Sequence, residues 1–413
     1  MKKLFVLLLS IAVILPLSLG SKGNLPQRYY VYTKNPVIKN LFTPLHEFPR
    51  AFSAELTEGQ VKLLRFLGVH VEPVKVYHVN IIRAAGKPAC GDEVLHPSED
   101  CEAPDYSCPD GYVCVDCKCV AEEERTCYPD NRYPWGVVKV KGGSGGAGVI
   151  VAVLDTGVYV DHPDLKSNII DCKDTTKRGV KKGCADGNGH GTHVTGTIAA
   201  NGGPDGLGIY GVAPEANIMA IKVCNNAGLC WGDDIAEGIY YAADNGANII
   251  SMSLGSDSPD SQILQAIDYA VERGVLVVAA AGNDGPEKGS IDYPGAYAKV
   301  IALAAFDSSD RIPDWSSRGI NNGDWIIEER EIEFVAPGVS VESTWNDGCY
   351  AYASGTSMAT PHISGLAAKY WKGSASETRK YLEELAYNYS TKIFDYGLVG
   401  DDIEAGFGLP VMP

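Results

Sequence analysis

The sequence predicts an α/β protein with a doubly wound, mostly parallel sheet, preceded by a small α+β domain and a disulfide-rich module. From residue 128 to residue 413, short apolar runs alternate with segments of helical periodicity, the pattern of parallel strands joined by crossover helices. Residues 24–82 instead follow a strand, helix, strand pattern, and seven of the twelve cysteines lie between Cys90 and Cys127. These observations divide the chain into three regions behind a leader.

The leader, residues 1–20, is predicted to be a secretory signal peptide. Lys2 and Lys3 precede an apolar run from residue 4 to residue 15, and small residues follow Pro16. The run is short for a membrane span, so an uncleaved anchor is the weaker alternative. We therefore expect a secreted protein that is not held at a membrane after signal removal. The net charge of −17 also argues against nucleic acid as a partner.

Residues 24–82 are predicted to form a small α+β domain. Strand-like segments at 28–32 and 51–56 precede a helix that begins after Thr57, where Gln60 completes a capping box. An alternating segment follows that helix and predicts a last strand region.

Residues 83–127 form a cysteine-rich module with few apolar residues. Its six cysteines from Cys90 to Cys119 favour internal disulfides, because secreted chains rarely keep free thiols. Zinc chelation through Cys114 and Cys117 is the alternative, but no histidine pattern accompanies them. The bridges within the module are left unassigned because several connectivities are possible.

The remaining cysteines suggest three further disulfides. Cys172 and Cys184 are close in sequence, as are Cys224 and Cys230. Cys127 and Cys349 then remain, and joining them would leave no unpaired thiol outside the module.

The region 128–413 carries the predicted parallel sheet. A strand over 149–154 ends at Asp155, and a helix begins at His190. Further strands are expected at 218–223, 249–254, 275–278 and 301–305, and further helices at 233–245, 258–273, 356–371 and 374–387. Open α/β sheets bind their ligands at the carboxyl ends of the strands, so residues after these strands are candidates for a site.

Four motifs supply the side chains for nucleophilic serine catalysis. Asp155 opens Asp-Thr-Gly, His190 opens His-Gly-Thr-His, and Ser357 lies in Gly-Thr-Ser-Met-Ala. This chemistry needs an attacking hydroxyl, a base for its proton and a carboxylate that orients the base. The order Asp, His, Ser and the lack of a G-x-S-x-G elbow at Ser357 distinguish the chain from α/β-hydrolases. Asn283 follows an apolar strand and is a candidate donor to an oxyanion, although a simple turn is the alternative.

These motifs resemble those of the subtilisin-like serine proteases. The resemblance implies a secreted endopeptidase, made as a zymogen, that cleaves proteins or peptides through Ser357, His190 and Asp155. Residues 24–82 would then be an inhibitory propeptide whose tail lies in the substrate cleft, ahead of a catalytic domain at 128–413. The alternative is a non-catalytic binding or adhesion protein that carries the cysteine-rich module on the same scaffold.

The resemblance also implies the substrate-binding residues. The residues along which substrate lies extended are Ser253, Leu254 and Gly255, and those walling the pocket for the residue before the cut are Ala280, Ala281 and Gly282. Asp292 falls at the floor of that pocket and Asp284 near its rim. An acidic floor predicts Arg or Lys before the cut. First autocleavage is then expected after Arg83, with a cut near 120–125 as the alternative.

Calcium is the cofactor that the resemblance implies. The matching ligands are the side chains of Asn131, Asp164 and Asp205 and the backbone carbonyls of Leu207 and Ile209. Oxygen ligands from carboxylates and flexible backbone are those that Ca²⁺ accepts. An ordinary surface loop is the alternative. A second ion in the Asp-rich stretch 171–188 is a weaker expectation.

Overall fold

The computed structural model describes residues 27–79, 81, 112–115, 118–121, 127–392 and 394–412. The predicted signal peptide, Arg83 and most of the cysteine-rich module lie outside these residues. None of the helices described in these ranges has the length and apolar character needed to cross a membrane.

The N-terminal domain (residues 27–73) is a three-stranded antiparallel sheet covered by a helix. Its elements are β1 (Gln27–Tyr32), α1 (Pro36–Lys39), β2 (Ala51–Leu56), α2 (Glu58–Phe66) and β3 (His70–Pro73), with β1 in the middle of the sheet. The predicted capping box is confirmed, since Thr57 and Gln60 exchange side-chain and backbone hydrogen bonds. Val31, Phe52 and Leu64 are among the residues of its small core.

Further strands and helices lie between Val76 and Lys392. The strands are β4 (Val76–Val79), β5 (Tyr112–Val115), β6 (Lys118–Ala121), β7 (Ile150–Asp155), β8 (Ile169–Asp174), β9 (Lys181–Lys182), β10 (Asn217–Lys222), β11 (Leu229–Trp231), β12 (Ile249–Met252), β13 (Leu254–Gly255), β14 (Leu276–Ala280), β15 (Ile301–Phe306), β16 (Phe334–Pro337), β17 (Val341–Thr344) and β18 (Tyr350–Ala353). The helices are α3 (Trp135–Lys139), α4 (His190–Ala199), α5 (Gly232–Asp244), α6 (Ser261–Glu272), α7 (Thr356–Lys369) and α8 (Ala375–Lys392).

The central sheet has eight strands in the order β16-β15-β14-β12-β7-β10-β8-β9. Every neighbouring pair is parallel except β8 and β9, so the predicted doubly wound, mostly parallel sheet is confirmed. Strands β8 and β16 were not predicted. β8 is half-buried and carries three charged residues, and β16 is a four-residue strand that ends at a proline, so neither presents a clear apolar run.

Each face of this sheet packs against its own helices. Along β7, Val151 and Val153 join the core that contains residues of α4, α7 and α8, whereas Ala152 and Leu154 join the core that contains residues of α5 and α6. Alternate side chains of a strand point to opposite faces, so a strand buried on both sides becomes a continuous apolar run. Such runs are the reason the sequence revealed β7, β10, β12 and β14.

The three disulfides predicted outside the module are present. Cys172 pairs with Cys184, and Cys224 with Cys230, each closing a short loop. Cys127 pairs with Cys349 across 222 positions of sequence and joins the start of the region 127–412 to the loop between β17 and β18.

Candidate active site

Asp155 and His190 meet at the carboxyl edge of the central sheet. Asp155 is the last residue of β7 and His190 is the first residue of α4. Both side chains are buried, and His190 Nδ1 lies 2.7 Å from Asp155 Oδ1. Asp155 Oδ1 also accepts the backbone N–H of Thr156 at 2.7 Å. A carboxylate bonded to Nδ1 leaves Nε2 as the nitrogen that can accept a proton.

Ser357 lies on the next element of the site, as the second residue of α7. Its hydroxyl donates to the carbonyl oxygen of Ser253, 3.0 Å away. His190 Nε2 is buried and has no hydrogen-bond partner among the described residues. The serine is therefore bonded to the strand end after β12, and the base is left with an unused acceptor. Catalytic hydrogen bonds are often incomplete before substrate binds.

Asn283 is oriented by the residue before the serine. Its Oδ1 accepts the backbone N–H of Thr356 at 3.0 Å and the Thr356 hydroxyl at 3.1 Å. These two donors fix the orientation of the amide, and Nδ2 is the group of this side chain that can donate.

The strand β4, which we call the tail strand, lies in a cleft between two strands of the region 127–412. It pairs antiparallel with β11 on one side and with β13 on the other. Val79 faces Leu254, and its backbone N–H donates to the carbonyl of Gly228 at 3.1 Å. Leu254 and Gly255 therefore hold an extended chain, as predicted for substrate. The opposite wall, β11, was not predicted, because a three-residue strand has too little pattern to identify.

Tyr77 of the tail strand fills an apolar pocket. Its side chain is fully buried, and its hydroxyl donates to the carbonyl of Ser258 at 3.2 Å. It belongs to the same core as Leu254, Ile235 and Ile263. The cleft thus accepts a large aromatic side chain two residues before Val79.

The residues predicted to form the pocket for the residue before the cut lie at the end of β14. Ala280 and Ala281 are buried there, and the backbone N–H of Asp292 donates to the Ala281 carbonyl at 2.7 Å. Gly282 has a φ of 102°, and a Cβ at this position would lie 2.5 Å from Asp292 Oδ2. Glycine is required here because the backbone and the buried carboxylate approach so closely.

Asp257 and Asp284 extend the acidic character of this pocket towards solvent. Ligand oxygens of these two exposed carboxylates and of buried Asp292 lie within 4.8 Å of one another. Partial burial, followed by the charge of Asp257, raises the pKa of Asp284. The structure therefore brings Asp284 and Asp292 close together, and their role in substrate binding stays a prediction.

The predicted calcium ligands lie around the loop 201–210. Asp164 is buried, and its Oδ2 accepts the Ile209 N–H at 2.8 Å and the Tyr350 hydroxyl at 2.7 Å. A Cβ on Gly203 would lie 2.8 Å from Asp164 Oδ1 and 3.6 Å from Asp205 Oδ1. Two carboxylates therefore converge on a backbone without side chains. In the part of the chain described here, neither forms an ion pair with a cationic side chain.

Two other predicted ligands are placed less directly. The backbone N–H of Leu207 donates to Asp205 Oδ1 at 3.0 Å, so Leu207 lies at the loop. The backbone N–H of Asn131 donates to Glu342 Oε2 at 3.0 Å, and the neighbouring Arg132 carbonyl accepts from Tyr210 in the loop. Asn131 thus borders the loop, but its hydrogen bond is to Glu342.

Carboxylates in the stretch 171–188 are engaged by the protein itself. Asp171 accepts from the Tyr241 hydroxyl at 2.7 Å and pairs with Lys173. Asp174 accepts from Thr176. These contacts give both carboxylates protein partners, and a second ion in this stretch stays a prediction.

Comparison with known proteins identifies the family. A model of the subtilase family matches residues 146–408. A subtilisin of Bacillus sp. strain TA39 is 44% identical over 299 residues, which cover 67% of this chain and 71% of that protein. Subtilisin Savinase of Lederbergia lenta is 40% identical over 281 residues, or 64% of this chain and 96% of that protein.

Solved structures agree with the sequence comparison. The structure of sphericase is 45% identical and has a TM-score of 0.67, with 69% of this chain and all of that one covered. The S41 psychrophilic protease is 44% identical with a TM-score of 0.65 and the same coverage. The site at the edge of the central sheet and these matches lead to one conclusion: the chain belongs to the subtilase family of serine endopeptidases.

Proposed function

We propose that the protein is a secreted subtilisin-like endopeptidase, made as a zymogen, that cuts proteins or peptides through Ser357, His190 and Asp155. The observation that carries this proposal is the buried His190–Asp155 pair at 2.7 Å, with His190 Nε2 left without a partner among the described residues. A buried imidazole nitrogen without a hydrogen-bond partner costs free energy, and a catalytic role is one reason why such a group is retained. Taking up the proton of a nearby serine is such a role.

The chemical steps follow from the placement of these groups. Ser357 Oγ attacks the scissile carbonyl and transfers its proton to His190 Nε2. Asp155 accepts the Nδ1–H bond and stabilises the imidazolium. Asn283 Nδ2 and the backbone N–H of Ser357, at the start of α7, donate to the oxyanion. His190 then protonates the leaving amine, and water hydrolyses the acyl-enzyme after the same proton transfers.

The N-terminal domain is proposed to be the inhibitory propeptide. The support is that the tail strand occupies the cleft as an extended substrate would, between β11 and β13. Main-chain pairing on both sides, together with the buried Tyr77, would block entry of another chain. Secretion is proposed on the signal-like sequence of residues 1–20 and fits the disulfides.

Calcium is proposed as a structural cofactor at the loop 201–210. Asp164 and Asp205 would hold it together with backbone carbonyls of the loop, including those of Leu207 and Ile209. The fit rests on the two carboxylate oxygens that converge on Gly203. An oxygen-only set of ligands suits Ca²⁺, which would neutralise the buried charge and fix the loop.

Labelling of the activated protein with a fluorophosphonate probe tests this function. We expect one label, on Ser357, and none in Ser357→Ala. Peptide cleavage should be lost in the same variant. A folded, activated protein that neither labels nor cleaves would overturn the proposal and favour a non-catalytic binding protein.

A further inference from the structure

Asp186 makes a compact set of hydrogen bonds just before the helix that carries His190. Its Oδ1 accepts the backbone N–H groups of Asn188 and Gly189, each at 2.9 Å. Its Oδ2 accepts both the backbone N–H and the hydroxyl of Thr192, at 2.9 and 2.7 Å. One carboxylate thus binds four donors that surround the start of α4. Helix N-termini favour an anion of this kind.

The same carboxylate is connected to the strand that carries Asp155. Thr156 Oγ1 donates to Asp186 Oδ1 at 2.9 Å and accepts the backbone N–H of Gly191 at 2.9 Å. Thr156 is adjacent to Asp155, and Gly191 is adjacent to His190. The Thr156 side chain therefore links Asp186 to the residues that adjoin Asp155 and His190, the two partners of the 2.7 Å pair.

A buried lysine completes this arrangement. Lys222 Nζ donates to the backbone carbonyl of Thr156 and to Asn226 Oδ1, the latter at 3.0 Å. Burial lowers the pKa of Lys222, while the carboxylates of Asp186, Asp174 and Asp155 act in the opposite direction. Lys222 thus holds the strand end at Thr156, and nearby carboxylates, including Asp186, favour its charged form.

We propose that Asp186 is a positioning residue for the reaction, which sets the distance and orientation of His190 relative to Asp155 through Thr156. This inference rests on the proposed function. In this proposal Asp186 does not contact substrate. Its replacement should therefore affect the rate of the chemical step rather than substrate binding. Displacing catalytic groups by about 1 Å can cost on the order of a hundredfold in rate.

The test compares Asp186→Asn with variants of its partner. Asp186→Asn and Thr156→Val should each lower kcat by roughly 10- to 100-fold with little change in KM. Thr156→Ser, which keeps the hydroxyl, should restore most of the rate. The double variant should lose little more than either single variant, because both break one network.

Two results would overturn this inference. One is an unchanged kcat in Asp186→Asn with only a lower melting temperature. The other is strict additivity in the double variant. Fluorophosphonate labelling of wild-type Ser357 separates these outcomes from failure of the proposed function, since it requires neither variant.

An independent observation concerns the interface between the N-terminal domain and α5. Arg28 Nη1 lies 3.1 Å from Asp233 Oδ1 and 2.8 Å from Asp234 Oδ1. His46 Nε2 lies 3.0 Å from Asp234 Oδ1, and its Nδ1 is 3.9 Å from Glu237 Oε2. Two basic residues of one domain thus meet three acidic residues at the start of one helix of the other.

The interface buries three of these five groups almost completely, whereas the side chains of Arg28 and Glu237 stay 18% and 21% exposed. The exposed fraction is 2% for His46 and 0% for both Asp233 and Asp234. Three carboxylates face one permanent cation, Arg28, so a second positive charge on His46 is favoured. Among the described residues, Phe48 and Tyr240 add an apolar border, and Glu47 acts on Glu237 from a greater distance. Breaking the interface would return all of these groups to water.

We further propose that docking of the N-terminal domain takes up a proton at His46, so that the domain is held tightly under mildly acidic conditions and released as the pH rises. This inference rests on the inhibitory role proposed above. It makes the pH of the surroundings a signal for release of the inhibitor.

The sign follows from the groups in the interface. Burial alone would lower the pKa of His46, but the hydrogen bond to Asp234 and the charges of Asp233 and Asp234 raise it. Burial raises the pKa of Asp234 to about 6. Both groups bind protons more strongly when docked. Docking is therefore fully supported below the ordinary pKa of histidine and weakens as the pH passes the raised value.

Hydrogen–deuterium exchange on the full-length Ser357→Ala protein tests this without any need for activity. After correction for intrinsic rates, amides at the start of α5 should exchange faster at about pH 8.5 than at about pH 6, by up to about tenfold per pH unit for each proton released. His46→Gln should remove most of this pH dependence and leave only the part that Asp234 contributes near pH 6. The control variant His70→Gln changes an exposed histidine of the same domain and should retain the pH dependence.

A pH dependence of undiminished size in His46→Gln would overturn the inference. So would a docking that changes with a metal chelator but not with pH, because it would assign His46, Asp233 and Asp234 to a cation. If the pH dependence is found while Ser357 fails to label in the wild type, the docking inference stands and the catalytic proposal fails.

Discussion

Ser357 and Ser253 hold each other through two reciprocal hydrogen bonds. Ser357 Oγ donates to the Ser253 carbonyl at 3.0 Å, and Ser253 Oγ donates to the Ser357 carbonyl at 2.8 Å. The start of α7 is thereby fixed to the strand end that borders the cleft. In the proposed mechanism, the Ser357 hydroxyl would have to give up this carbonyl before it could donate its proton to His190 Nε2.

Ser253→Ala should therefore loosen the start of α7 without removing the cleft strand. The variant loses one neutral hydrogen bond, worth about 0.5–1.5 kcal/mol of stability, and leaves the Ser357 carbonyl without that donor. Thermal unfolding of the inactive Ser357→Ala background would measure the loss. Ser308→Ala on the exposed surface is the control, and equal effects of the two substitutions would contradict the expectation.

Asn283→Ala should lower kcat far more than it changes KM, because the amide donates to charge that develops in the transition state. The expected loss, about 100- to 1000-fold, is the value known for a subtilisin and is borrowed from it. Initial rates on a peptide substrate measure it. Asn245→Ala, at the exposed end of α5, should have no such effect. A rise in KM alone would argue that Asn283 serves only in binding.

Removal of calcium should lower the melting temperature and speed autolysis. An ion bound only to the native state, at a free concentration roughly 100 times its Kd, stabilises by about 2.7 kcal/mol. Calorimetry with and without chelator measures the shift. Asp164→Asn and Asp205→Asn should abolish the response, and Asp161→Asn, whose side chain pairs with Lys166 at the surface, should not. A wild-type melting curve indifferent to chelator would exclude a stabilising ion.

Substrates with Arg or Lys before the cut should be preferred. Asp292 carries a buried carboxylate at the pocket, and a cation there would gain about tenfold or more over a neutral side chain. Asp292→Asn should remove the preference in a peptide library. Asp284→Asn should have a smaller effect, because Asp284 is exposed and screened. The Asp284 contribution should fade as the pH falls through its raised pKa, since the carboxylate must be ionised to attract the cation.

The first autocleavage should occur three residues before Arg83, the basic residue that the sequence suggested. Val79 faces Leu254, and Leu254 directly follows Ser253, whose carbonyl accepts the Ser357 hydroxyl. We expect a first cut after residue 80 and a new N-terminus at Ile81. Arg83→Gln should leave that N-terminus unchanged by mass spectrometry. A start at Ala84 that disappears in Arg83→Gln would restore the cut after Arg83.

The sequence contained the chemistry of the site but little of its contacts. Asp155 and His190 could be assigned because each adjoins a strand or helix with a strong apolar pattern. The contacts of Asp186 could not be foreseen, since an Asp-Gly-Asn-Gly segment is typical of any turn. Its role depends on Thr156, 30 positions away in the chain. The docking of His46 on Asp234 spans 188 positions and is likewise invisible to local pattern.

The register of the tail strand was also beyond sequence analysis. The prediction of a first cut after Arg83 rests on its charge and on the small residues 84–86 that follow it, whereas the position of Val79 is fixed by main-chain bonds to Gly228 and Leu254. Main-chain bonds carry no side-chain signature. The disulfides were easier to predict, because Cys172–Cys184 and Cys224–Cys230 are local and left one pair over.

The sheet β11-β4-β13 is complete only while the tail strand lies in it. Once that strand leaves, two facing strand edges present unpaired amides and carbonyls across a slot one chain wide. A guest must give up its own backbone pairing to enter, so helices and interior strands of a folded protein are poor fits. Substrate selection would thus depend first on an extended, unpaired backbone and only then on side-chain recognition. Cuts should concentrate in loops, termini and partly unfolded segments.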